Sequence, residues 1–188
     1  IDLPVDRALP ERKSWAGDTL TFDLDGAVAS RIETMAKQER STPFNILLSA
    51  FHLVLRTLAQ HNDTVIGTVI ANRNRYESEG LVGFLVNPLP LRIKSEDDDS
   101  FRSLCARTRE VSLRGFDNQD VPFDILVEHL PCGSASNSEG IFQVLFALQN
   151  NESAHLRLGG LEETRISLPP IGAMFDLGLE LRPRTEGY

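Results

Sequence analysis

Hydrophobic and polar positions along this chain change period several times, and each change predicts a new element. From Asp18 to Leu24, Leu20, Phe22 and Leu24 alternate with Thr19, Thr21 and Asp23, the pattern of a half-buried strand. The period then lengthens. Val28, Ile32, Met35 and Ala36 recur at helical spacing between Gly26 and Arg40, with Asp25 placed to cap the helix. A second helix is announced by Thr42 as N-cap and Pro43 at the first helical position, ahead of the stripe Phe44, Leu47, Leu48, Phe51, Val54, Leu55 and Leu58. His52 falls off that stripe and is expected at the surface or its boundary.

The run TVIGTVIA, Thr64 to Ala71, is β-branched and almost continuously apolar, so a central strand buried on both faces is expected. A polar break at Asn72–Arg75 separates it from a strand expected over Phe84 to Ile93. Pro88 and Pro90 donate no ladder hydrogen bonds, which places that strand at an edge or against an unusual neighbour. Two more helices follow, one over Ser100 to Phe116 and a shorter one opened by Pro122 and running through Leu130. Strands are expected at Ile141–Leu148 and, more weakly, at His155–Ser167 and Phe175–Leu181. The order predicts an α/β fold: a two-layer sandwich of helices on a mixed β-sheet.

Composition narrows the classes. With 188 residues and 41% hydrophobic content, the chain is long enough for one domain with a core. A formal charge of −8, from 27 acidic and 19 basic residues with no basic cluster, argues against nucleic acid as a partner. No run reaches the roughly 18 apolar residues of a membrane helix, so no membrane partner is expected and a cytoplasmic location is the default. Cys105 and Cys132 lack the spacing of a metal or redox pair and are read as plain thiols. The acidic run Glu96–Asp99 lacks calcium-loop spacing and reads as a solvated loop leading into a helix cap at Asp99 or Ser100. No metal site is expected.

Two segments some thirty residues apart carry more information than the rest, VGFLVNPLPLR at Val82–Arg92 and NQDVPFD at Asn118–Asp124. Together with LPVDRALP, the STPFNILLSAFHLVLRTLAQHNDTVIGTVIANRNR run and IFQVLFALQN, in that order, they resemble the condensation domains of nonribosomal peptide synthetases. The resemblance covers essentially the whole chain and implies the second lobe of that enzyme, a fold similar to half of chloramphenicol acetyltransferase. Residues 1–17 then read as a connector from a preceding lobe, and 18–188 as the C-terminal lobe, truncated at its end. It implies amide-bond formation between a carrier-tethered acyl donor and an amine acceptor. The partners would be the other lobe and the donor and acceptor carrier proteins. No cofactor would be bound directly; the phosphopantetheine arms of the carriers would arrive as substrates.

The family's catalytic signature, HHxxxDG, is expected in the preceding lobe, so no catalytic residue is assigned here and the 188 residues alone are expected to be inactive. His52, His61, His129 and His155 are isolated from one another and none is a convincing substitute. Asn87, Pro88, Arg92, Met174 and Asp176 are the candidates for the substrate tunnel or the inter-lobe face. Gly83, Phe84, Asn118, Gln119, Asp120, Pro122 and Phe123 are motif positions with mainly structural roles expected. Pro88 stands where the family commonly has Thr, Asn118 where it often has His, and SASNSEGIFQ only echoes the usual RDxSxNPLFQ. Two alternatives stay open: a non-catalytic relative that recruits a partner protein, and a related acyltransferase, epimerisation or cyclisation domain.

Overall fold

A computed structural model of the chain describes residues 1–7, 14–73, 76–130, 141–149, 164, 166, 172–184 and 187–188. Helices α1 (Gly26–Gln38) and α2 (Pro43–Ala59) lead into strand β1 (Asp63–Ile70). The short helix α3 (Tyr76–Glu79) precedes β2 (Asn87–Lys94), and α4 (Phe101–Asp117) and α5 (Phe123–His129) precede β3 (Val144–Leu148) and β4 (Leu177–Leu181). The strands form one mixed sheet in the order β2-β1-β3-β4, with β1–β2 antiparallel and the other two pairings parallel.

The caps read from sequence form as expected. Asp25 accepts from the Ala27 N–H at 2.7 Å, Thr42 from Asn45 at 3.4 Å and Ser100 from Ser103 at 3.1 Å. Asp99, beside that last cap, is bound by the Arg107 guanidinium, which draws its carboxyl down to about 2. The acidic run is therefore a braced helix entry, and no cluster of metal-ligating side chains occurs among the described residues.

Register sorts every strand residue onto one of two faces. Thr64, Ile66 and Thr68 align with Ile93, Leu91 and Leu89, and Ile66 with Val144, so these share one face. Helices α2 and α4 cover it. The core built there includes Leu48, Leu55, Ile66, Leu91, Ile93, Leu104, Val144 and Phe146, all at most 1% exposed. Gly115 of α4 lets the helix approach closely: a Cβ there would lie 2.7 Å from the Leu91 side chain.

The other face carries Val65, Gly67 and Val69 beside Arg92, Pro90 and Pro88. Here the expectation of a β1 buried on both sides fails, because Val69 is 39% exposed and, of the three, Gly67 is the one closely covered. β1 is nonetheless internal to the sheet and, among the described strands, β2 lies at its edge, as its prolines require. Because Pro88 and Pro90 sit at alternate positions, both nitrogens face the open edge, leaving Leu89 and Leu91 to bond β1.

Three other expectations need correction. Residues 18–24 are assigned no strand: Leu20 is 86% and Phe22 56% exposed, and among the described residues the backbone partner found is Tyr188, with which Leu24 exchanges two hydrogen bonds. Alternation alone does not make a strand where, among the described residues, no neighbouring ladder is offered. β2 begins at Asn87 and not at Phe84, since β1 ends at its partner Ile70. His52 is fully buried, contrary to its expected surface position. The strand expected at His155–Ser167, His155 itself, Cys132 and the Ser134–Gly140 loop lie outside the described residues, apart from the isolated positions 164 and 166. No single described helix is long and apolar enough to cross a membrane.

Candidate site at the junction of the two motifs

The two distinctive segments meet at Asn87, the first residue of β2. Its Nδ2 donates to the Gln119 carbonyl at 3.1 Å and the Val121 carbonyl at 2.9 Å, while its Oδ1 accepts from the Phe123 N–H at 3.1 Å. One amide therefore satisfies three backbone groups of the NQDVPFD loop. Phe123 opens α5, whose N-cap position is Pro122 and carries no side-chain cap, so Asn87 supplies that function from another strand. Asn118 closes α4, with its Nδ2 donating to the Arg114 carbonyl at 2.8 Å. Gln119 is half-buried, and Asp120 and Pro122 are exposed.

The Phe123 ring begins an aromatic row. It lies 5.6 Å from Phe142, which stacks on Phe175 at 5.6 Å and 20°. The Phe142 ring covers Gly67 so closely that a Cβ on that glycine would fall 1.9 Å from it. Since Gly67 points away from the helices, Phe142 belongs to the open face of the sheet. Met174, 75% exposed, and Asp176, also exposed, flank Phe175. The Asp176 N–H donates to the Gln143 carbonyl at 2.9 Å, which fixes this segment beside the start of β3.

Arg92 is on the same face but is not a free cation. Its Nε donates to Asp63 Oδ1 at 2.9 Å and its Nη2 to Oδ2 at 2.6 Å, a fork-to-carboxylate pair across the two strands. The hydrogen bond from Arg92 holds the Asp63 carboxyl below the usual carboxylate range. Pro88 lies opposite Val69 at the far end of this face, half-buried.

Gly83 and Phe84 take a different course. Both are exposed, Phe84 at 90%, and a Cβ on Gly83 would meet nothing within 4 Å. Their loop is shaped by Arg73, whose guanidinium donates to the Ser78 and Leu81 carbonyls at 2.7 Å each and to Gly83 at 3.4 Å. Sequence reading did not single out Arg73, Phe142 or Phe175. A glycine inside a β-branched run was the available signal for Phe142, because such a glycine marks close approach by another group.

The histidines supply no exposed catalytic pair among the described residues. His52 Nδ1 is 2.8 Å from Thr64 Oγ1 and its Nε2 is 2.9 Å from Ser95 Oγ. Burial, reinforced by Arg56, lowers this imidazole to about 4, so it is a neutral strut between α2 and the sheet. His61 lies between α2 and β1, and His129 Nδ1 bonds the Ile125 carbonyl at 2.8 Å. Cys105 is a buried free thiol, pushed up by that burial. The assembled region thus offers an aromatic and proline-rich surface, one ion pair between Arg92 and Asp63, and the exposed carboxylate of Asp176.

Known proteins carry the same pattern. A family profile described as Condensation domain matches residues 1–187. Malpinin synthetase from Mortierella alpina is 37% identical over 187 residues, which is 100% of this chain and 2% of that protein. A dimodular nonribosomal peptide synthase from Bacillus subtilis is 37% identical over 182 residues, 96% of this chain and 8% of that protein. This chain therefore spans only a few per cent of the length of these relatives. Among solved structures, the X-domain from teicoplanin biosynthesis superposes with a TM-score of 0.80 at 25% identity, covering 97% of this chain and 41% of that one. The expected α/β architecture of helices on a mixed sheet, half of a chloramphenicol acetyltransferase-like fold, is the one found. On a match that runs from its first residue to its last but one, the chain belongs to the condensation-domain family.

Proposed function

We propose that this chain is the C-terminal lobe, residues 18–188 behind a connector of residues 1–17, of a condensation domain that forms amide bonds in a nonribosomal peptide synthetase. The observation that carries the reading is the Asn87 joint, which ties the two segments of the family resemblance into one rigid unit at the edge of the open sheet face. The fold match supports it as well, since the chain accounts for 41% of the teicoplanin X-domain chain. In the reaction, the acceptor amine attacks the donor thioester carbonyl. A C–N bond forms, the C–S bond breaks, and the donor's phosphopantetheine thiol leaves with the amine's proton.

The catalytic histidine of HHxxxDG would come from the preceding lobe. This lobe's part is then positional: Pro88, Arg92, Met174 and Asp176 form one wall of the tunnel between the lobes, held in place by Asn87 and the aromatic row. The partners are the other lobe and the donor and acceptor carrier proteins, in the cytoplasm. The test is condensation by the full polypeptide with loaded donor and acceptor carriers, read by mass spectrometry of the carrier-bound product. An amide is expected from the full polypeptide and none from the 188 residues alone. Failure with every competent carrier pair overturns the reading in favour of a recruiting module, the second reading, favoured by the likeness in fold to the teicoplanin X-domain, which has been solved in complex with OxyB.

A further inference from the structure

The contact between α2 and α4 is anchored at two points. Near one end Phe44 meets Phe116 with ring centroids 6.1 Å apart, and near the other Ser49 lies close enough to Cys105 to act on its thiol. The helices are therefore antiparallel, and the positions between the anchors are Asn45 on α2 and Thr108 and Ser112 on α4. Residues 45 and 49, and likewise 105, 108 and 112, are three or four apart, so each set lies along one helix face. All of these are buried: Asn45 is 6% exposed, Thr108 0% and Ser112 1%.

Helix seams of this depth are normally filled with carbon. This one presents three polar atoms without a hydrogen-bond partner: Asn45 Oδ1, Thr108 Oγ1 and Ser112 Oγ. Asn45 uses its Nδ2 on Ser41 Oγ at 3.1 Å, which turns the amide oxygen inward. Exchanging the amide's oxygen and nitrogen would leave an unpaired N–H in its place, so the orphan does not depend on that assignment. Ser49 does not relieve it, because its hydroxyl donates to the Asn45 backbone carbonyl at 2.7 Å. Three unsatisfied buried polar atoms on two helices that pack against each other are a costly arrangement if the seam is dry.

We propose that the α2–α4 seam is an internal hydration site, in which one ordered water bridges Asn45 Oδ1 to the hydroxyls of Thr108 and Ser112. Buried waters characteristically make about three hydrogen bonds to groups that otherwise have none. The water donates to Asn45 Oδ1 and to one hydroxyl, and accepts from the other. The inference is independent of the condensation reading, since it uses nothing from the open face.

A high-resolution crystal structure of the protein, paired with thermal unfolding of Thr108→Val and Ser112→Ala, tests it. Water density within hydrogen-bond distance of Asn45 Oδ1 and of both hydroxyls is expected. Each variant should lose that density and melt about 2–4 °C lower, the shift for roughly one lost hydrogen bond in a chain of this size. The double variant should lose less than the sum, because the second substitution has no water left to release. A dry seam, with the hydroxyls bonded to carbonyls four residues back on their own helix, overturns the proposal. So does a melting temperature that is unchanged or raised, as removal of a dry orphan hydroxyl would produce.

Discussion

The two faces of β2 are built from alternate residues of the same eight-residue strand, yet they answer to different physics. Leu89, Leu91 and Ile93 lock into α4 and the core, whereas Pro88, Pro90 and Arg92 lie on the face where Phe142 covers Gly67. One face records what the fold needs. The other carries two half-buried prolines and an arginine paired with Asp63, and it is the face that the tunnel proposal uses.

The sharpest way to break that contrast is to truncate one residue from each face. Leu91→Ala removes a side chain 1% exposed and packed against Gly115, and should lower unfolding free energy by about 2–5 kcal/mol in chemical denaturation. Pro88→Ala, three residues away and half-buried, should stay below about 1 kcal/mol. Comparable losses at the two positions would mean that the open face is part of the core.

His52 tests the covered face by titration. The folded imidazole resists protonation until about pH 4, while in the unfolded chain it protonates near 6.5. The unfolded state thus binds the extra proton between those values, and stability falls as pH drops from 6.5 towards 4. A shift of this size corresponds to about 3 kcal/mol. Arg56 and Arg107 deepen the effect and Asp63 opposes it. Asp99 contributes its own loss only at lower pH, between its unfolded value of 3.8 and about 2. Urea unfolding of the parent and of His52→Gln across this range should show the slope in the parent and a flatter profile in the variant.

The same contrast explains what the sequence made legible. Helix starts were readable because Asp25, Thr42 and Ser100 act locally, through bonds to the next turn. The edge position of β2 was readable from its prolines. A helical stripe of apolar residues leaves His52 outside it, whereas Thr64 and Ser95 provide a polar socket from distant parts of the chain. The open face of β1 was missed for a related reason: a run of valines and isoleucines does not say whether a second layer exists. At the site, the spacing of the two segments gave the family, but their junction through one side chain, 32 to 36 residues away along the chain, became visible only in three dimensions.

Asn87 sits where the two faces meet, and its substitution should fall between theirs. Asn87→Ala leaves the Gln119 and Val121 carbonyls and the Phe123 N–H without their partner, at a cost of about 1–3 kcal/mol. Asn87→Asp keeps an acceptor for Phe123 but turns a carboxylate oxygen towards two carbonyls. It should be no less destabilising at neutral pH and recover partly as that carboxyl protonates. Hydrogen exchange at the Phe123 amide reads the local effect directly: faster exchange with an unchanged core is expected, and uniform loosening of the whole sheet would assign Asn87 to the core instead.

Arg92 is the smallest expected change in stability and the most direct probe of the open face. Its charge is already matched by Asp63, and its side chain is 73% exposed, so removing it breaks a surface pair that solvent readily replaces. Arg92→Ala should leave the melting temperature within the scatter of ordinary surface substitutions. The Asp63 carboxyl, held down chiefly by the hydrogen bond from Arg92, should move back up towards its usual range, as a carbon-detected NMR titration would follow. If the open face is the tunnel wall proposed above, condensation by the full polypeptide should slow in this variant while its folding is unaffected. Arg92→Lys, which keeps the charge but not the two-pronged geometry, should restore less of the rate than of the Asp63 shift. An unfolding defect with an unchanged rate per folded molecule would reverse the assignment: the ion pair would then serve the sheet, and the two faces of β2 would differ only in burial.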